Sequence, residues 1–468
     1  MQHPSIPKTL PSFFFHFLKK HWLILLLVQF FSFAWSIDHT LWPYVIMVLI
    51  DTITNFTGSG QSEAWHALAR PISMGISLWI TIEIFFRLSG ILGMRMFPKI
   101  EASIRMSMFD YVLGHSHRYF GNHLPGTIAN KISDMSLSMT RILELIIHLF
   151  VPVLLALVIS TVLFANINTY FALILLGWIA VHVSICFHFS KKCANASRLH
   201  AESRSLLFGK IVDCLSNSSN VRIFARNRFE HHYLSHFQKD ERKKHTQSLW
   251  MIEKMKIALG IATFFGAAIA INGYMLYLWT LGQLTAGEVV FIFNTSWNIT
   301  MMAWLAGLEL PHLFREIGVC KQALSIIEDT HDIPDRPGAI PLSVDRGEIV
   351  FDKVTFRFLN HQNLFENKTI KIEAGQKVGL VGFSGSGKST FVNLILRYYD
   401  VQGGSILVDG QDISKVTQDS LRSQISLIPQ DPSLFHRSLM ENIRYGRPEA
   451  SDEEVIEASK RLIAMNLL

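Results

Sequence analysis

Gly382-Phe383-Ser384-Gly385-Ser386-Gly387-Lys388-Ser389-Thr390 reads GFSGSGKST, set between the strand-like Val378-Gly379-Leu380-Val381 and the helix-like Phe391-Val392-Asn393-Leu394. In the G-x-x-x-x-G-K-[ST] pattern, glycines let backbone N–H groups close around phosphate. The lysine reaches the β/γ oxygens and the following hydroxyl holds Mg²⁺. The strand-loop-helix setting is the one this motif requires, so the loop reads as a nucleotide phosphate site. Its candidate ligand-binding residues are Gly382, Ser384, Gly385, Ser386, Gly387, Lys388, Ser389 and Thr390, with Ser389 as the metal-holding hydroxyl.

Working outward, 49% hydrophobic residues and a mean hydropathy of +0.28 are too apolar for an ordinary soluble chain, while 17% charged residues exclude a wholly membrane-embedded one. The apolar density falls before about residue 310. Six stretches are long enough to cross a bilayer as helices: Trp22 to Ile50, His66 to Leu92, Ile142 to Phe164, Tyr170 to Phe189, Ile257 to Trp279 and Val289 to Leu310. The first would measure about 44 Å as a helix, so it must tilt or project beyond the lipid.

Lys and Arg set the expected orientation. Connections 51–65, 165–169 and 280–288 contain neither residue, whereas 1–21 carry three, 87–141 seven and 190–256 fourteen. The positive-inside rule then puts both termini in the cytoplasm. The net charge of +6 therefore reports topology. No base-reading or aromatic-platform motif accompanies it, so nucleic acid is not an expected partner.

The two long cytoplasmic connections have helical spacing, as at Ile104, Met108, Tyr111 and Val112, and as antiparallel arms they would reach about 35 Å beyond the membrane. Ahead of the first span, Pro11 to Lys20 sets aromatics beside lysines, as suits an elbow helix in the headgroup layer of the lipid. It lacks a signal-peptide cleavage site. Pro, Asp and Gly gather at 328–347 as linker chemistry, and short strands begin at Ile349-Val350-Phe351.

These features together resemble half-size ABC exporters, in which a six-helix membrane domain precedes a nucleotide-binding domain. The resemblance rests in the membrane part on His117-Arg118-Tyr119-Phe120, Gly126 to Asp134 and Asn220-Val221-Arg222-Ile223-Phe224-Ala225. In the cytosolic part it rests on the phosphate loop, Arg397-Tyr398-Tyr399-Asp400, Gly404 to Gly410, Leu421-Arg422, Ile428-Pro429-Gln430-Asp431 and Glu441 to Gly446.

It implies the layout 1–21 cytoplasmic N-terminus with elbow helix, 22–327 membrane domain, 328–347 linker and 348–468 nucleotide-binding domain. The fold class is a membrane α-helical bundle followed by an incomplete α/β P-loop domain. It further implies ATP and Mg²⁺ as cofactors and two coupling helices in the cytoplasmic loops. The expected assembly is a homodimer or heterodimer with another half-transporter, multi-pass in the cell (inner) membrane. By the same resemblance Gln430 senses Mg²⁺ and the γ-phosphate. Phe358 stands where the family has an adenine-stacking tyrosine, and it keeps the aromatic face.

Family members hydrolyse ATP with a metal-holding aspartate, a following glutamate, a switch histidine and an LSGGQ signature, none of which stands after Thr390. No catalytic residue is therefore assigned, and the expectation is a C-terminally truncated or frame-shifted reading frame. Ile406-Leu407-Val408-Asp409-Gly410 only mimics the aspartate strand, because an apolar strand ending in Asp-Gly is a hairpin signal. Two rival readings are a non-hydrolysing membrane remnant and a membrane-tethered P-loop kinase or GTPase.

Cys186, Cys193, Cys214 and Cys320 have no paired spacing and read as reduced thiols. His115 with His117, and His231 with His232, lack an acidic or cysteine partner at ligand spacing. Asp38, His39, Glu83, Arg87 and Glu309 fall in spans and must pair or face the bundle. Glu83 and Arg87 stand at i, i+4. In the last span Asn294, Asn298 and Met301 share a face beside Trp297 and Trp304, which suits either an amphipathic, lipid-like cargo or ordinary helix packing.

Overall fold

The computed structural model describes residues 6–465 apart from 124, 359–362 and 431–433. Asp431 and residues 466–468 of the sequence reading lie outside the described residues. The chain divides into two compact units, Met1–His331 and Asp332–Leu468.

Hydrocarbon offers no partner to a peptide group, so apolar stretches of this length fold as helices that satisfy themselves. In chain order these are α1 (Leu10–Leu18), α2 (Trp22–Ser32), α3 (Ala34–Thr54), α4 (Gln61–Leu113), α5 (His117–Asn122) and α6 (Pro125–Leu145). There follow α7 (Val151–Ile167), α8 (Thr169–Ser216), α9 (Ser218–Ile223), α10 (Asn227–Thr263), α11 (Asn272–Thr280) and α12 (Ala286–Glu328). π-helical segments join α6 to α7 at Ile146–Phe150 and α10 to α11 at Phe264–Ile271.

Among the described residues, six continuous helical stretches are long and apolar enough to span a membrane, and each contains one of the six predicted spans. The first differs in detail. It bends at Phe33, whose N–H reaches the Phe30 carbonyl three residues back, so the over-long stretch is divided into α2 and α3.

α4 and α8 run for 53 and 48 residues, about 80 and 72 Å at 1.5 Å per residue, so each span continues without a break into its arm. The spacing read at Ile104, Met108, Tyr111 and Val112 is a buried stripe. It packs in one core with Phe13 and Phe17 of α1, Met135 and Met139 of α6, and Cys320 and Ile327 of α12. Polar ties reinforce the α6–α12 contact: Ser138 Oγ donates to Glu316 Oε2 at 2.7 Å and Lys131 Nζ to Ser325 Oγ at 3.0 Å.

At the other end of α12, Asp51 accepts from Thr285 Oγ1 at 3.0 Å and from the Gly287 N–H at 2.8 Å. Thr285 and Glu288 complete a capping box there. A Cβ on Gly287 would lie 2.5 Å from both the Asp51 carboxyl and the Met47 carbonyl, so only glycine lets α3 come this close. Trp79, Leu154, Val158, Phe187 and Phe265 point outward from the spans, as apolar side chains facing lipid do.

The second unit is built on β1 (Ile349–Phe356), β2 (Phe365–Ile372), β3 (Gly403–Val408) and β4 (Gln411–Asp412), ordered β2-β1-β3-β4 with every pair antiparallel. α13 (Lys388–Ile395) lays Phe391 flat on Phe351 of β1, ring centroids 4.3 Å apart and 12° from parallel. The short helices α14 (Gln418–Ser423) and α15 (Leu439–Arg444) follow, then α16 (Asp452–Met465).

Val378 to Val381, read as a strand, pairs with no strand among the described residues, and Val381 is 93% exposed. A buried parallel strand needs partners on both sides, and β-propensity alone does not hold one.

Asp409 and Gly410 form the β3–β4 turn with φ of 46° and 76°, which confirms the hairpin reading of that pair. The Asp409 carboxylate also accepts the N–H groups of Asp345, Arg346, Gly347 and Glu348 at 2.8–3.0 Å, tying the end of the Pro/Asp/Gly segment to the sheet. These backbone donors hold the Asp409 carboxyl well below the usual carboxylate range, Gly347 and Arg346 contributing most.

The resulting stabilisation is complete above the unfolded aspartate pKa of about 3.9 and fades as pH falls from there toward the folded value. Asp409→Asn should lower the thermal midpoint of the second unit at pH 7, followed by limited proteolysis around Gly347. The gap from wild type should shrink below about pH 4. An unchanged midpoint at pH 7 contradicts the clamp.

Candidate functional site

The phosphate loop sits at the start of α13, where unpaired backbone N–H groups and the helix dipole favour an anion. Gly385 and Gly387 take φ of 84° and 92°, a region L side chains rarely enter, so the loop needs glycine at both places. Lys388 Nζ donates to the carbonyls of Gly382 and Phe383 at 2.7 and 2.8 Å, which curls the loop around the ammonium group. A cavity of about 560 Å³ opens on it, lined by Phe358, Leu364, Ser384, Gly385, Gly387, Lys388, Ser389 and Thr390. That volume suits a nucleotide.

Phe358 is 38% exposed and braced edge-on by Phe356 and Tyr399, at 82° and 87° with centroids 5.0 and 5.3 Å away. Bracing of this kind leaves a ring face free for stacking. Glycines in left-handed backbone, an ammonium at the loop and an aromatic face in one cavity fit ATP. Ser389, read as the metal-holding hydroxyl, lines the same cavity. Gln430 is exposed and, among the described residues, does not line this cavity.

Sequence reasoning missed the buried hub two residues before Tyr399. Arg397 is 1% exposed with φ of 49° and donates through Nε to Asp400 at 2.9 Å. Its other nitrogens reach the carbonyls of Ile413, Val416 and Pro334 at 3.3–3.4 Å. One guanidinium thus joins the end of α13, the β4–α14 loop and the entry to the unit. Arginine suits the place because its fork of donors serves several acceptors at once.

The membrane unit holds a cavity of about 600 Å³ lined by Ile257, Gly260, Thr263, Trp297, Thr300, Met301 and Trp304, with Glu253 and Lys256 paired at 3.3 Å on its rim. The structure divides the face read on the last span. Trp297, Met301 and Trp304 line the cavity, while Asn298 Nδ2 donates to the His39 carbonyl at 3.2 Å and so serves helix packing. Arg87 Nε donates to Glu83 Oε1 at 2.7 Å, the intrahelical pair the spacing predicted. His115 stacks on Tyr119 at 3.9 Å in an aromatic cluster with Tyr111 and His331. His231 is exposed.

Residues 24–304 match the family model described as the ABC transporter transmembrane region, and residues 365–467 match the ABC transporter model. The chain belongs to the ABC transporter family. ATP binding is a property of the matched nucleotide-binding domain. An uncharacterized ABC transporter ATP-binding protein of Haemophilus influenzae is 31% identical over 90% of this chain and 68% of its own. Heavy metal tolerance factor 1 of Caenorhabditis elegans is 28% identical over 91% of this chain and 51% of its own. The ABC transporter thus spans about two thirds of the first relative's length and half of the second's.

A bacterial Atm1-family ABC exporter with ATP bound shares the fold, with a TM-score of 0.79 at 23% identity over 95% of this chain and 77% of its own. Six membrane spans followed by a small antiparallel sheet that carries the phosphate loop are that exporter fold.

Arg397→Met should destabilise the nucleotide unit by about 3 kcal/mol, because it leaves the buried carbonyls of Ile413 and Val416 without their donor. Arg397→Lys should recover only part of this, having lost the fork. Denaturant unfolding followed through this unit checks both, and wild-type stability in the methionine variant would show that the guanidinium is not the hub.

Proposed function

We propose that this chain is the subunit of an ATP-driven exporter, in which nucleotide bound at the loop of residues 382–390 controls the membrane cavity beside Trp297. The observation that carries the proposal is the union, in one chain, of a six-span ABC membrane region with an aromatic-walled cavity and a glycine loop whose cavity fits a nucleotide. The proposed division is 22–327 membrane domain, 328–347 linker and 348–468 nucleotide-binding domain.

In this reading the N–H groups at Ser384 to Thr390 and Lys388 hold phosphates, Phe358 stacks adenine, and Ser389 with Gln430 serves Mg²⁺. The bound metal would supply charge neutralisation between phosphate oxygens. The chain's own residues bind and orient. α5 and α9 act as the coupling helices. Ile223 and Phe224, at 76% and 69% exposure, offer α9 an apolar surface for a nucleotide-binding domain. The working unit is a homodimer, or a heterodimer with another half-transporter, in the inner membrane. The cavity's tryptophans, methionine and rim pair suit an amphipathic cargo with a charged end.

The first test measures the coupling. Quenching of Trp297 and Trp304 by an amphipathic dye should report cavity occupancy in the detergent-purified chain, and Mg-ATP should weaken the dye's binding. Lys388→Ala should abolish that effect and reduce nucleotide affinity at least tenfold, as loss of a charge-assisted phosphate contact does. Phe358→Ala should remove roughly 1–3 kcal/mol of nucleotide binding, with Phe358→Tyr near neutral. If dye affinity ignores nucleotide in the wild-type chain, the coupling reading fails.

Orientation has its own test. In a cysteine-free background, single cysteines at the exposed positions Asn55, Asn166 and Gln283 should label from outside intact cells with an impermeant maleimide. Cysteines at Ser219 and Ser343, also exposed, should label only after lysis. Labelling of Ser219→Cys in intact cells would invert the topology.

A further inference from the structure

The arms α8 and α10 pack against each other, and His200 of α8 faces Glu241 and His245 of α10. Residues 241 and 245 stand at i, i+4, so both project from one face of α10. His200 Nε2 lies 2.9 Å from Glu241 Oε1. The rings of His200 and His245 are parallel within 2°, with centroids 4.2 Å apart. One ligand atom from each of the three residues falls within 4.8 Å of the others. We propose that these three side chains bind a divalent transition metal of the Zn²⁺ type, which clips the two arms together.

The donor set favours such an ion over Mg²⁺ or Ca²⁺. Two imidazoles and one carboxylate suit zinc and its first-row neighbours, whereas hard cations take oxygen ligands. Ligands at about 2.0–2.1 Å in a tetrahedron stand about 3.4 Å apart, so the widest gap must close by about 1.4 Å. Lone pairs of parallel rings lie in planes that do not meet, so the exposed His245 must also rotate out of its stack on His200, while His200 and Glu241 are held at 20% and 14% side-chain exposure. Water completes the fourth position.

The surroundings already orient the carboxylate. Glu241 Oε2 accepts from Gln238 Nε2 at 2.9 Å, an outer-shell hydrogen bond of the kind that fixes a metal-binding carboxylate. Arg198 is paired with Glu202 on α8, and Lys244 with Asp240 on α10. Ser197 and Ser248, with hydroxyls 3.3 Å apart, bridge the same two helices one turn away and keep the arms in register without metal. The three residues belong to the first unit and the phosphate loop to the second, and the test does not depend on nucleotide binding.

The test uses the full chain, purified in detergent without a polyhistidine tag, stripped with chelator and titrated with Zn²⁺ by calorimetry and with Co²⁺ by visible absorption. The proposal expects one ion per chain at micromolar or tighter affinity, with Co²⁺ giving intense d–d bands of a tetrahedral site. His200→Ala, Glu241→Gln and His245→Ala should each weaken Zn²⁺ binding at least tenfold and remove the bands, a loss no smaller than outer-shell changes cause. His245→Ala is the safest variant for folding, its side chain being exposed.

His231→Ala with His232→Ala should leave the ion bound, because this pair lies outside the cluster. Unchanged binding in the three cluster variants, loss of the ion in the His231/His232 variant, or absence of the d–d bands in the wild-type chain overturns the proposal.

Discussion

A peptide group inside a bilayer must find its hydrogen bond within its own chain, and most of this molecule follows from that constraint. Each crossing is a helix, and a helix that has already formed extends cheaply, because every added residue brings one more hydrogen bond without a new nucleus. α4 and α8 therefore continue through the interface as single rods of 53 and 48 residues. Beyond the lipid, water competes for polar groups and apolar burial takes over as the stabilising force. α4 accordingly changes from an exposed apolar surface to the buried stripe of Met96, Ile100, Ile104 and Met108. A helix that runs unbroken from membrane into arm is the mechanical element on which the proposed nucleotide control of the cavity relies.

The nucleotide unit obeys another logic, since its order rests on a few polar hubs. Arg397 gathers carbonyls from separate segments, and Asp409 gathers four successive N–H groups. Between them they fix the sheet, the end of α13 and the entry segment. The glycine loop depends on contacts within a few residues, and so it keeps its form beside apolar side chains that nothing in the described structure covers. Phe383 and Ile428 are both 91% exposed.

What the sequence made legible was local. The spans were readable because transfer into hydrocarbon depends on composition over about 20 residues. The Glu83–Arg87 pair and the Asp409-Gly410 turn were readable because i, i+4 spacing and turn chemistry are short-range rules. Arg397 was invisible as a hub because its acceptors are carbonyls, which every residue has, brought together by chain folding. The strand reading at Val378 to Val381 failed in the described residues for a related reason: a strand is completed by its neighbours, and propensity names only half of a pair. The His200 cluster was missed because its two halves lie 41 residues apart, and only antiparallel packing of α8 on α10 joins them. The one signal on offer was Glu241 and His245 at i, i+4, a spacing common on any polar helix.

α10 links the sites of the membrane unit. It presents Glu241 and His245 in the arm, and twelve residues on, about 18 Å along the axis, it presents Glu253, Lys256 and Ile257 to the cavity. Immediately after Thr263 the helix turns π over Phe264–Ile271, where Gly266 meets Trp178 so closely that a Cβ would lie 2.2 Å from the indole. A π segment is the part of a helix most able to change register, because its hydrogen bonds are already displaced from the α ladder. An axial or rotational shift imposed on the arm would act on the cavity wall through the same continuous helix, ahead of the π segment. Anything that fixes α10 against α8 in the arm restricts the freedom of that wall. The cavity and the arm cluster are thus two readouts of the same helix.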